Sequence, residues 1–551
     1  MRFVDFVDFL DRIGATKSKN AKVSIASELL RNLEPKELSA AVYLMRGRVF
    51  SIYDQRELNI GWSTIWGVIS RLSRIQPDSL ARILKETGDL GLMSERALTK
   101  KKLTLLHTRE IDLTYVYKEL RRMANLTGPG STRQRARSLL GILGNVSPIE
   151  SRYIVRIIVG EMRYGFQEGL LEEAISNAFD VPLGLVRRAN MLTSDLGSVA
   201  EMARESPDGL RELGIEPFRP VRHMLAEPAS SIEEALNYHN RKVSIEWKYD
   251  GCRLQVHKAR KKVGIYSRKL EDVTGSFPEM LSEFSRIEHD FVIDGEAIHW
   301  DRGKPGAFQY LIRRLRRKRD IDKMARKYPS KFFAFDILFL DGVQLIDEPY
   351  AKRREILETA IPSGQFVTCS ERFEYESVEK TMSLFRSGLD LGYEGLVIKN
   401  LDSTYKPGKR GRHWFKYKEA LETLDLVVLM AEYGHGSRAG LLSDYTFGAW
   451  NRERIELIPV GKAYSGLTDD GFEEMTKRLS TITIREAGTR VYVKPQVVME
   501  VAFGDIQKSP RYSSGFALRF PRIKAIRYDL GLDDVDSVQR IEQIYNSQKR
   551  K

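Results

Sequence analysis

The sequence predicts a multidomain protein that combines an all-α region, an α+β region and a small β-barrel. Its 551 residues exceed what one hydrophobic core organises and indicate roughly three domains. Helical periodicity dominates before Pro217, and strand-like alternation begins at Val243. From Leu424 onward, short apolar segments separated by glycine-containing turns are typical of a small barrel. We therefore expect domains that span residues 1–216, 217–418 and 419–551.

The clearest helix start in the first region is at Ser147. Ser147 suits the N-cap, a proline follows it, and Glu150 completes a capping box. The helix that follows carries an apolar stripe, and its arginines, including Arg152 and Arg156, are expected to face solvent or phosphate. A glycine- and proline-containing loop at residues 127–132 precedes three more arginines and offers backbone donors beside positive charge. A solvated helix surface explains that loop equally well.

The middle region begins with an alternating stretch, residues 243–250. Apolar residues at its odd positions and polar residues at its even positions predict a half-buried strand. Glu246, Lys248 and Asp250 should therefore share one face. Gly251 then allows the backbone to bend or to approach a ligand closely. Taken alone, the stretch fits a surface ion pair as well as a functional site.

Other strand-like segments of the middle region carry polar residues that a purely structural sheet does not need. They comprise Phe291–Glu296 with two acids beside a glycine, Phe332–Asp336 with an aromatic surface, Glu394–Lys399 with another acid, and His413–Lys418, which sets Trp414, Lys416 and Lys418 on one face. A nucleophile, acids for a metal, an aromatic shelf and cations for phosphates together match a nucleotidyl-transfer site. The basic run at residues 313–319 indicates either a solvated helix or a contact to a phosphate backbone.

Charge and cysteine content narrow the classes of protein. Lys and Arg number 89 against 75 Asp and Glu, which gives a formal charge of +14 and favours a polyanionic partner such as nucleic acid. A soluble basic protein without such a partner has the same composition. The only cysteines, Cys252 and Cys369, support neither a disulfide framework nor a zinc module. Acids at Asp5 and Asp8 argue against a secretory signal, and no apolar run is long enough for a membrane span, so we expect a cytoplasmic protein.

These segments, in this order, resemble the covalent nucleotidyltransferases, and most closely the ATP-dependent DNA ligases of the archaeal replicative type. The motif series is Lys248-Tyr249-Asp250-Gly251 with Arg253, Ser267-Arg268-Lys269, Asp294-Gly295-Glu296, Phe333-Ala334-Phe335-Asp336, Glu394 to Lys399, Trp414 to Lys418, and Arg519-Phe520-Pro521-Arg522. Residues 153–165 are similar to the DNA-binding domain of that family. The resemblance implies an all-α DNA-binding domain, an α+β adenylation domain and an OB-fold barrel that ends in a helix and a basic tail.

The resemblance also implies a role for each motif residue. Lys248 would attack the α-phosphate of ATP, release pyrophosphate and hold AMP as a phosphoramidate. The implied nucleotide contacts are Glu246 and Phe335 to adenine, Glu296 and Arg253 to the ribose, Arg268, Arg412, Lys416 and Lys418 to the phosphates, and Arg519 and Arg522 to the pyrophosphate. Glu296 and Glu394 would position Mg²⁺, with Mn²⁺ as an alternative.

The same resemblance implies the rest of the reaction and its setting. AMP would move to the 5′-phosphate of a nick, and the 3′-hydroxyl would displace it. The implied partner is nicked duplex DNA, and the implied processes are DNA replication, repair and recombination. We expect a monomer that works in the cytoplasm, in association with the nucleoid.

The nucleophile has to lose a proton before it reacts. An ordinary lysine has a pKa near 10.4, so keeping it neutral at pH 7 costs about 4.6 kcal/mol. Mg²⁺, Lys416 and Lys418 favour the neutral amine of Lys248, whereas Glu246 and Asp250 oppose it. We therefore expect that metal and ATP must bind before Lys248 becomes a good nucleophile.

Several other classes share part of this pattern. An RNA ligase or an mRNA capping enzyme has similar motifs, but the long helical region before residue 217 argues against both. An NAD-dependent ligase would need zinc-binding cysteines, and a conventional ATPase would need a Gly-x4-Gly-Lys-Ser/Thr loop, which the sequence lacks. A nucleic-acid-binding protein with a decayed site is disfavoured because the motif residues are intact.

Archaeal relatives often bind a sliding clamp through Gln and paired aromatic residues, but the corresponding stretch, residues 100–106, contains neither Gln nor Phe.

Overall fold

The computed structural model describes residues 1–99, 111–306, 308–315, 319–406, 410–418 and 422–550. Contacts within the chain define two compact units. The first contains Met1 and residues 12–57 and 166–419, and the second contains residues 2–11, 58–165 and 420–551. Within the described ranges, no helix is both long enough and apolar enough to cross a bilayer.

The part of the chain before residue 217 is helical, as predicted. Its helices, in chain order, are α1 (Phe3–Ala15), α2 (Lys19–Asn32), α3 (Pro35–Met45), α4 (Trp62–Ser73), α5 (Pro77–Thr87), α6 (Leu90–Leu98), α7 (Leu113–Ala124), α8 (Ser131–Asn145), α9 (Pro148–Val159), α10 (Glu168–Phe179), α11 (Leu183–Thr193), α12 (Leu196–Glu205) and α13 (Gly209–Glu212). The capping box at α9 is confirmed: the Glu150 amide donates to the Ser147 hydroxyl at 3.4 Å, and the Ser147 amide donates to the Glu150 carboxylate at 2.7 Å.

The arginines of α9 contradict the expectation that they face solvent or phosphate. Arg152 pairs with Asp11 of α1 and, at 3.2 Å, with Glu95 of α6. Arg156 pairs with Asp89, the N-cap residue of α6, at 2.7 Å. The acids come from helices distant in sequence, so helical periodicity within α9 alone did not indicate them. These arginines therefore connect helices of the second unit.

Residues 217–418, in the first unit, have an α+β structure, as predicted. The strands are β1 (Leu225–Pro228), β2 (Val243–Lys248), β3 (Cys252–Ala259), β4 (Lys262–Ser267), β5 (Phe291–Asp301), β6 (Lys304–Gly306), β7 (Ser330–Leu340), β8 (Val343–Gln344), β9 (Val367–Cys369), β10 (Arg372–Glu374), β11 (Gly395–Asn400) and β12 (Arg410–Lys418). The helices are α14 (Ile232–Tyr238), α15 (Pro278–Phe284), α16 (Phe308–Ile312), α17 (Ile321–Lys327), α18 (Tyr350–Ala360) and α19 (Val378–Asp390). One sheet has the order β1-β12-β11-β2-β10, and another has the order β4-β3-β5-β7-β8, with β6 on β5 and β9 on β7.

The register of β2, β11 and β12 separates a core face from a polar face. Lys248 lies opposite Gly395, which lies opposite Lys418 on the next strand. Since side chains alternate along a strand, the intervening residues point to the other side of the sheet. There, Ile245, Trp247, Leu396, Ile398 and Phe415 form a buried cluster with residues of α14 and α19. The predicted common face of Trp414, Lys416 and Lys418 is confirmed, but Asp250 lies in a bend beyond the end of β2.

Two glycines beside this polar face are required by close backbone approaches. A Cβ atom at Gly251 would lie 2.3 Å from the carbonyl oxygen of Ala297 in β5. A Cβ atom at Gly395 would lie 2.2 Å from the carbonyl oxygen of Tyr417, and the φ angle of Gly395 is +145°. The close approach expected at Gly251 is thus to a neighbouring strand, and it allows the bend between β2 and β3 to pass tightly against β5.

The C-terminal region, in the second unit, is a small antiparallel barrel of the OB type. Its strands are β13 (Thr423–Tyr433), β14 (Leu442–Trp450), β15 (Leu457–Ala463), β16 (Thr483–Ala487), β17 (Arg490–Val493), β18 (Val498–Ala502), β19 (Asp505–Lys508), β20 (Phe516–Arg519) and β21 (Arg522–Arg527). The long strand β13 pairs with β14, β17 and β18, and β18 also pairs with β21. Helix α20 (Asp469–Thr481) and the C-terminal helix α21 (Val538–Arg550) pack apolar residues, such as Met475 and Ile541, into the barrel core.

Candidate active site

Lys248 is the last residue of β2, and its ammonium group pairs with the carboxylate of Glu394. The same carboxylate pairs with Lys418, because Gly395 of β11 is in register with both lysines. Burial disfavours ionisation of Glu394, but the two ammonium groups hold its pKa below the ordinary value. The Glu394 amide also donates a hydrogen bond to the Lys248 carbonyl at 2.8 Å. Lys248 and Lys418 therefore share one counterion.

Glu296 brings a further carboxylate close to this group. It lies on β5, directly opposite Arg253 of β3. Burial raises the pKa of Glu296 to about 7, and the nearby carboxylates of Glu394 and Asp250 add to the rise, while Lys248 and Arg253 oppose it. A carboxyl group with a pKa near neutrality is a frequent property of functional sites.

Glu246 lies two residues before Lys248 on the same face, but it is buried rather than at the surface. Its carboxylate accepts hydrogen bonds from Ser370 at 2.9 Å, from Lys399 at 2.9 Å and from the hydroxyl of Tyr350. Although burial opposes ionisation, the charges of Lys399 and Arg354 hold the pKa of Glu246 below its ordinary value. A surface ion pair, which the sequence alone left open, is therefore excluded for this residue.

Phe335, the predicted aromatic shelf, lies on β7 beside these groups. The ammonium of Lys399 is 4.6 Å from the centre of its ring, and the guanidinium of Arg253 is 5.1 Å from it. The ring of Trp414 stands nearly perpendicular to that of Phe335, with 6.2 Å between centroids. The ring of Phe335 is thus close to both Lys399 and Arg253.

Arg253 is held by a buried acid. Its Nη2 donates to Asp294 at 2.7 Å, and Asp294 also accepts from Gln255 at 2.9 Å and from Tyr405. Burial alone would raise the pKa of Asp294, but His223 and Arg253 hold it far below the ordinary value. This network fixes the guanidinium beside Phe335.

The other predicted phosphate ligands differ in their placement. Lys416 lies on the polar face of β12, two residues before Lys418. Arg268 follows the end of β4 and is exposed. Arg412 is also exposed, and it lies 3.8 Å from a carboxylate oxygen of Glu227 and 5.2 Å from the ring centre of Tyr238.

The two predicted pyrophosphate ligands belong to the second unit. Arg519, at the end of β20, lies 3.7 Å from Asp505 and 4.7 Å from the ring centre of Phe520. Arg522, at the start of β21, is exposed. Phe520, between them, has a φ angle of +49° and is 71% exposed. The two arginines therefore flank a tight turn of the barrel.

The carboxylates beside Lys248 suit a hard cation. Mg²⁺ commonly takes one or two protein carboxylates and completes its shell with substrate phosphates and water. Glu296 and Glu394 provide such a pair, and the charge of Glu394 raises the cost of ionising Glu296. Among the residues that the structure describes, no group of three His, Cys, Asp or Glu side chains could hold a metal by protein ligands alone. The donor set therefore fits a cation that arrives with a nucleotide.

Three residues that surround Glu246 received no role from the sequence. Lys399 follows Gly395 and Val397 at period 2, so its place on the polar face was predictable from β11. Tyr350 and Ser370 come from α18 and from the segment after β9. They reach Glu246 across 104 and 124 positions of sequence, and no local pattern indicated that contact.

Comparisons with known proteins indicate the family to which the chain is related. Three family descriptions match the chain: DNA ligase N terminus over residues 2–176, ATP dependent DNA ligase domain over 223–418, and ATP dependent DNA ligase C terminal region over 438–530. A DNA ligase of Thermococcus fumicolans is 38% identical, over 100% of this chain and 99% of its own length. DNA ligases of Thermococcus onnurineus (39%, 100% and 99%) and Archaeoglobus fulgidus (38%, 99% and 98%) are similarly related. The solved structure Pmar-Lig_PreS3 has a similar fold, with a TM-score of 0.62 at 16% identity over 95% of this chain and 99% of that one.

Proposed function

Because the chain belongs to the ATP-dependent DNA ligase family, we propose that Lys248 is the residue that carries AMP from ATP to DNA. The observation that supports this most is the placement of Lys248 on the polar face of β2, with Glu394 and Lys418 in register and Glu296 nearby.

The first step forms one bond and breaks one. The neutral amine of Lys248 attacks the α-phosphorus of ATP, a P–N bond forms, and the bond to the pyrophosphate oxygen breaks. The ammonium group of Lys248 has to release one proton to solvent to become this amine, and the nitrogen releases a second proton as the P–N bond forms. When Lys248 loses its positive charge, Lys418 remains as the partner of Glu394, so this partly buried carboxylate is not left without a counterion. Lys418 therefore keeps Glu394 paired throughout the step.

The nucleotide contacts follow from the surrounding side chains. We assign Glu246 and Phe335 to adenine, Arg253 and Glu296 to the ribose, and Arg268, Arg412, Lys416 and Lys418 to the phosphates. Lys399 contacts both Glu246 and the ring of Phe335, which supports the assignment of these two residues to the same adenine site. In the structure, Arg412 contacts Glu227 and Tyr238.

Glu296 and Glu394 would hold Mg²⁺, or Mn²⁺ in its place. Such an ion neutralises triphosphate charge when it is bound. In the structure, Glu394 pairs with Lys248 and Lys418. Binding of a cation to Glu394 is therefore expected to be linked to release of Lys248 from this ion pair. The dependence of Lys248 reactivity on metal and ATP, predicted from the sequence, remains a prediction. Adduct formation measured against pH with and without Mg²⁺ tests it, and equal rates would contradict it.

The remaining steps involve DNA. AMP passes from Lys248 to the 5′-phosphate of a nick, and the 3′-hydroxyl then displaces AMP and closes the strand. We propose that residues 1–216 bind duplex DNA, residues 217–418 carry out adenylation, and residues 419–551 supply Arg519 and Arg522 to the first step. The formal charge of +14 supports a polyanionic substrate.

The cellular setting also remains a proposal. We propose a monomer that seals nicks during DNA replication, repair and recombination, in the cytoplasm and near the nucleoid. The stretch considered for a sliding clamp, residues 100–106, lies outside the described residues. Sedimentation of the purified chain with and without nicked DNA tests whether the protein is a monomer.

Incubation with α-labelled ATP and Mg²⁺, followed by a denaturing gel, tests the central proposal. Label that remains on the protein, and that disappears in Lys248→Ala, is the expected result. Lys242→Ala is the matched control, because Lys242 is an exposed lysine just before the same strand and pairs with Asp402. Equal labelling of the Lys248→Ala variant would overturn the assignment. Sealing of nicked DNA but not nicked RNA distinguishes this enzyme from an RNA ligase.

A further inference from the structure

We propose that Lys399 determines the selectivity of the enzyme for ATP, because it keeps Glu246 in the form that accepts a hydrogen bond from the 6-amino group of adenine. Lys399 is in this view a positioning residue, since it acts through Glu246. The inference rests on the proposed function, in which Glu246 contacts the base.

Lys399 and Glu246 form a buried pair on neighbouring strands. Each residue is 2% exposed, and the Lys399 ammonium lies 2.9 Å from the Glu246 carboxylate. Lys399 also lies 3.1 Å from the Tyr350 hydroxyl and 3.4 Å from the Phe335 carbonyl. The rings of Phe335, Tyr350 and Trp414 surround the ammonium at 4.6, 4.7 and 4.5 Å from their centres. The lysine is thus held tightly in one position.

The carboxylate of Glu246 has room for about one more donor. An ionised carboxylate offers about four acceptor sites and no donor. Tyr350, Ser370 and Lys399 supply three donors, which leaves about one site for a ligand. A 6-amino group can donate to that site, whereas the 6-oxo group of hypoxanthine or guanine would face a second acceptor. A site that must pair a buried polar group rejects an analogue that cannot pair with it.

Lys399 is the cation best placed to keep Glu246 ionised. Arg354 is the other cation nearby, but its Nη1 lies 4.0 Å from Glu246 and donates to Ser370 at 2.7 Å. The same guanidinium donates to Glu358 at 2.9 Å. Without Lys399, a carboxyl group this deeply buried would take up a proton. Protonated Glu246 could donate to a 6-oxo group, and the preference for ATP would fall.

The test compares ATP with ITP, which differ at the 6-position but both lack a 2-amino group. The rate of label transfer to Lys248, expressed as kcat/KM, is measured for each nucleotide with wild type, Lys399→Met and Lys399→Arg. We expect Lys399→Met to lower the ATP to ITP ratio by about tenfold or more, and Lys399→Arg to retain most of it. A structural role alone would reduce both rates by the same factor. An unchanged ratio in a folded Lys399→Met variant would overturn the proposal.

Two further variants keep the experiment decisive. Tyr350→Phe removes a neutral donor to Glu246 but leaves its counterion, so the ratio should stay near that of wild type; an equal loss would contradict the assignment to Lys399. Where Lys399→Met does not fold, the double variant Glu246→Gln with Lys399→Met removes both buried charges. A glutamine amide can face either 6-substituent, so this variant should show the lowered ratio, and a ratio at the wild-type value would overturn the proposal. Wild type that gains no label from ATP would instead reject the proposed function.

Discussion

Asp336 and Arg353 form a bidentate ion pair that is completely shielded from solvent. The Nε and Nη2 atoms of Arg353 donate to the two carboxylate oxygens of Asp336 at 2.8 and 2.9 Å. Arg353 comes from α18, and Asp336 follows Phe335 on β7. Nη1 of Arg353 also donates to the carbonyl of Ser403 at 3.0 Å. The pair therefore joins the strand of the aromatic shelf to two other segments.

We expect Arg353→Met to destabilise the protein by about 3–5 kcal/mol, because it leaves the buried charge of Asp336 without a partner. Replacing both residues, as Arg353→Met with Asp336→Leu, should recover a large part of that loss. Thermal unfolding followed by circular dichroism measures both effects. Lys352→Met is the control, since Lys352 is exposed on the same helix. Equal destabilisation by the single and double variants would contradict the explanation.

Glu296→Gln should stabilise the metal-free protein at pH 8. The pKa of Glu296 is raised to about 7 in the folded protein, above the ordinary value of 4.5. Between these values the folded state binds a proton that the unfolded state does not, so wild type loses stability as the pH rises through this range. Glutamine does not titrate and avoids that loss.

The expected gain for Glu296→Gln at pH 8 is about 1–2 kcal/mol after allowance for partial exposure, and it should shrink towards pH 5. Melting temperatures measured in a chelating buffer at several pH values test this. Glu288→Gln, a change at an exposed position, should show no such trend. A gain that does not vary with pH would be evidence against ionisation as its cause. The Glu296→Gln variant should also lose adenylation activity, because the carboxylate that lowers stability at this position is the group proposed to bind the metal.

Arg519→Ala combined with Arg522→Ala should slow transfer of AMP to Lys248 and leave later sealing largely intact. The reason is that both residues are assigned to the pyrophosphate, which departs in the first step. Single-turnover labelling measures the first step, and sealing of a nick that already carries 5′-AMP measures the last. We expect a loss of about tenfold to a hundredfold in labelling, as for removal of charged contacts to a transferring phosphoryl group. Lys524→Ala, at an exposed position of the same strand, is the control. Equal losses in both assays would reject the assignment.

Local pattern was sufficient to predict β2 and the polar face of β12. Alternation with period 2 is a property of neighbouring residues, so the sequence places Lys248 and Glu246 on one side without knowledge of the rest of the chain. Burial of Glu246 is different, because Tyr350 and Lys399 reach it from 104 and 153 positions away. Their contribution depends on how β2, β11 and α18 pack, which no local pattern encodes.

The same limit explains the arginines of α9. Helical spacing predicts which residues leave the apolar stripe, and Arg152 and Arg156 do so. It does not predict whether a neighbouring helix presents an acid there, as Asp11 and Asp89 do. Charge near a helix surface is therefore a weak guide to nucleic-acid contacts until the packing is known.

The register of the three central strands also restricts how this region can change in evolution. Along β2, β11 and β12, residues such as Glu246, Lys399 and Lys416 lie on the side of the site, whereas residues such as Trp247, Leu396 and Phe415 are buried on the other side. Inserting or deleting a single residue in one of them would exchange the two sides beyond that point, with a lysine sent into the core and an aromatic residue into the site. Insertions or deletions within these strands should therefore be tolerated only when they involve an even number of residues. The loops that connect the strands do not have this constraint.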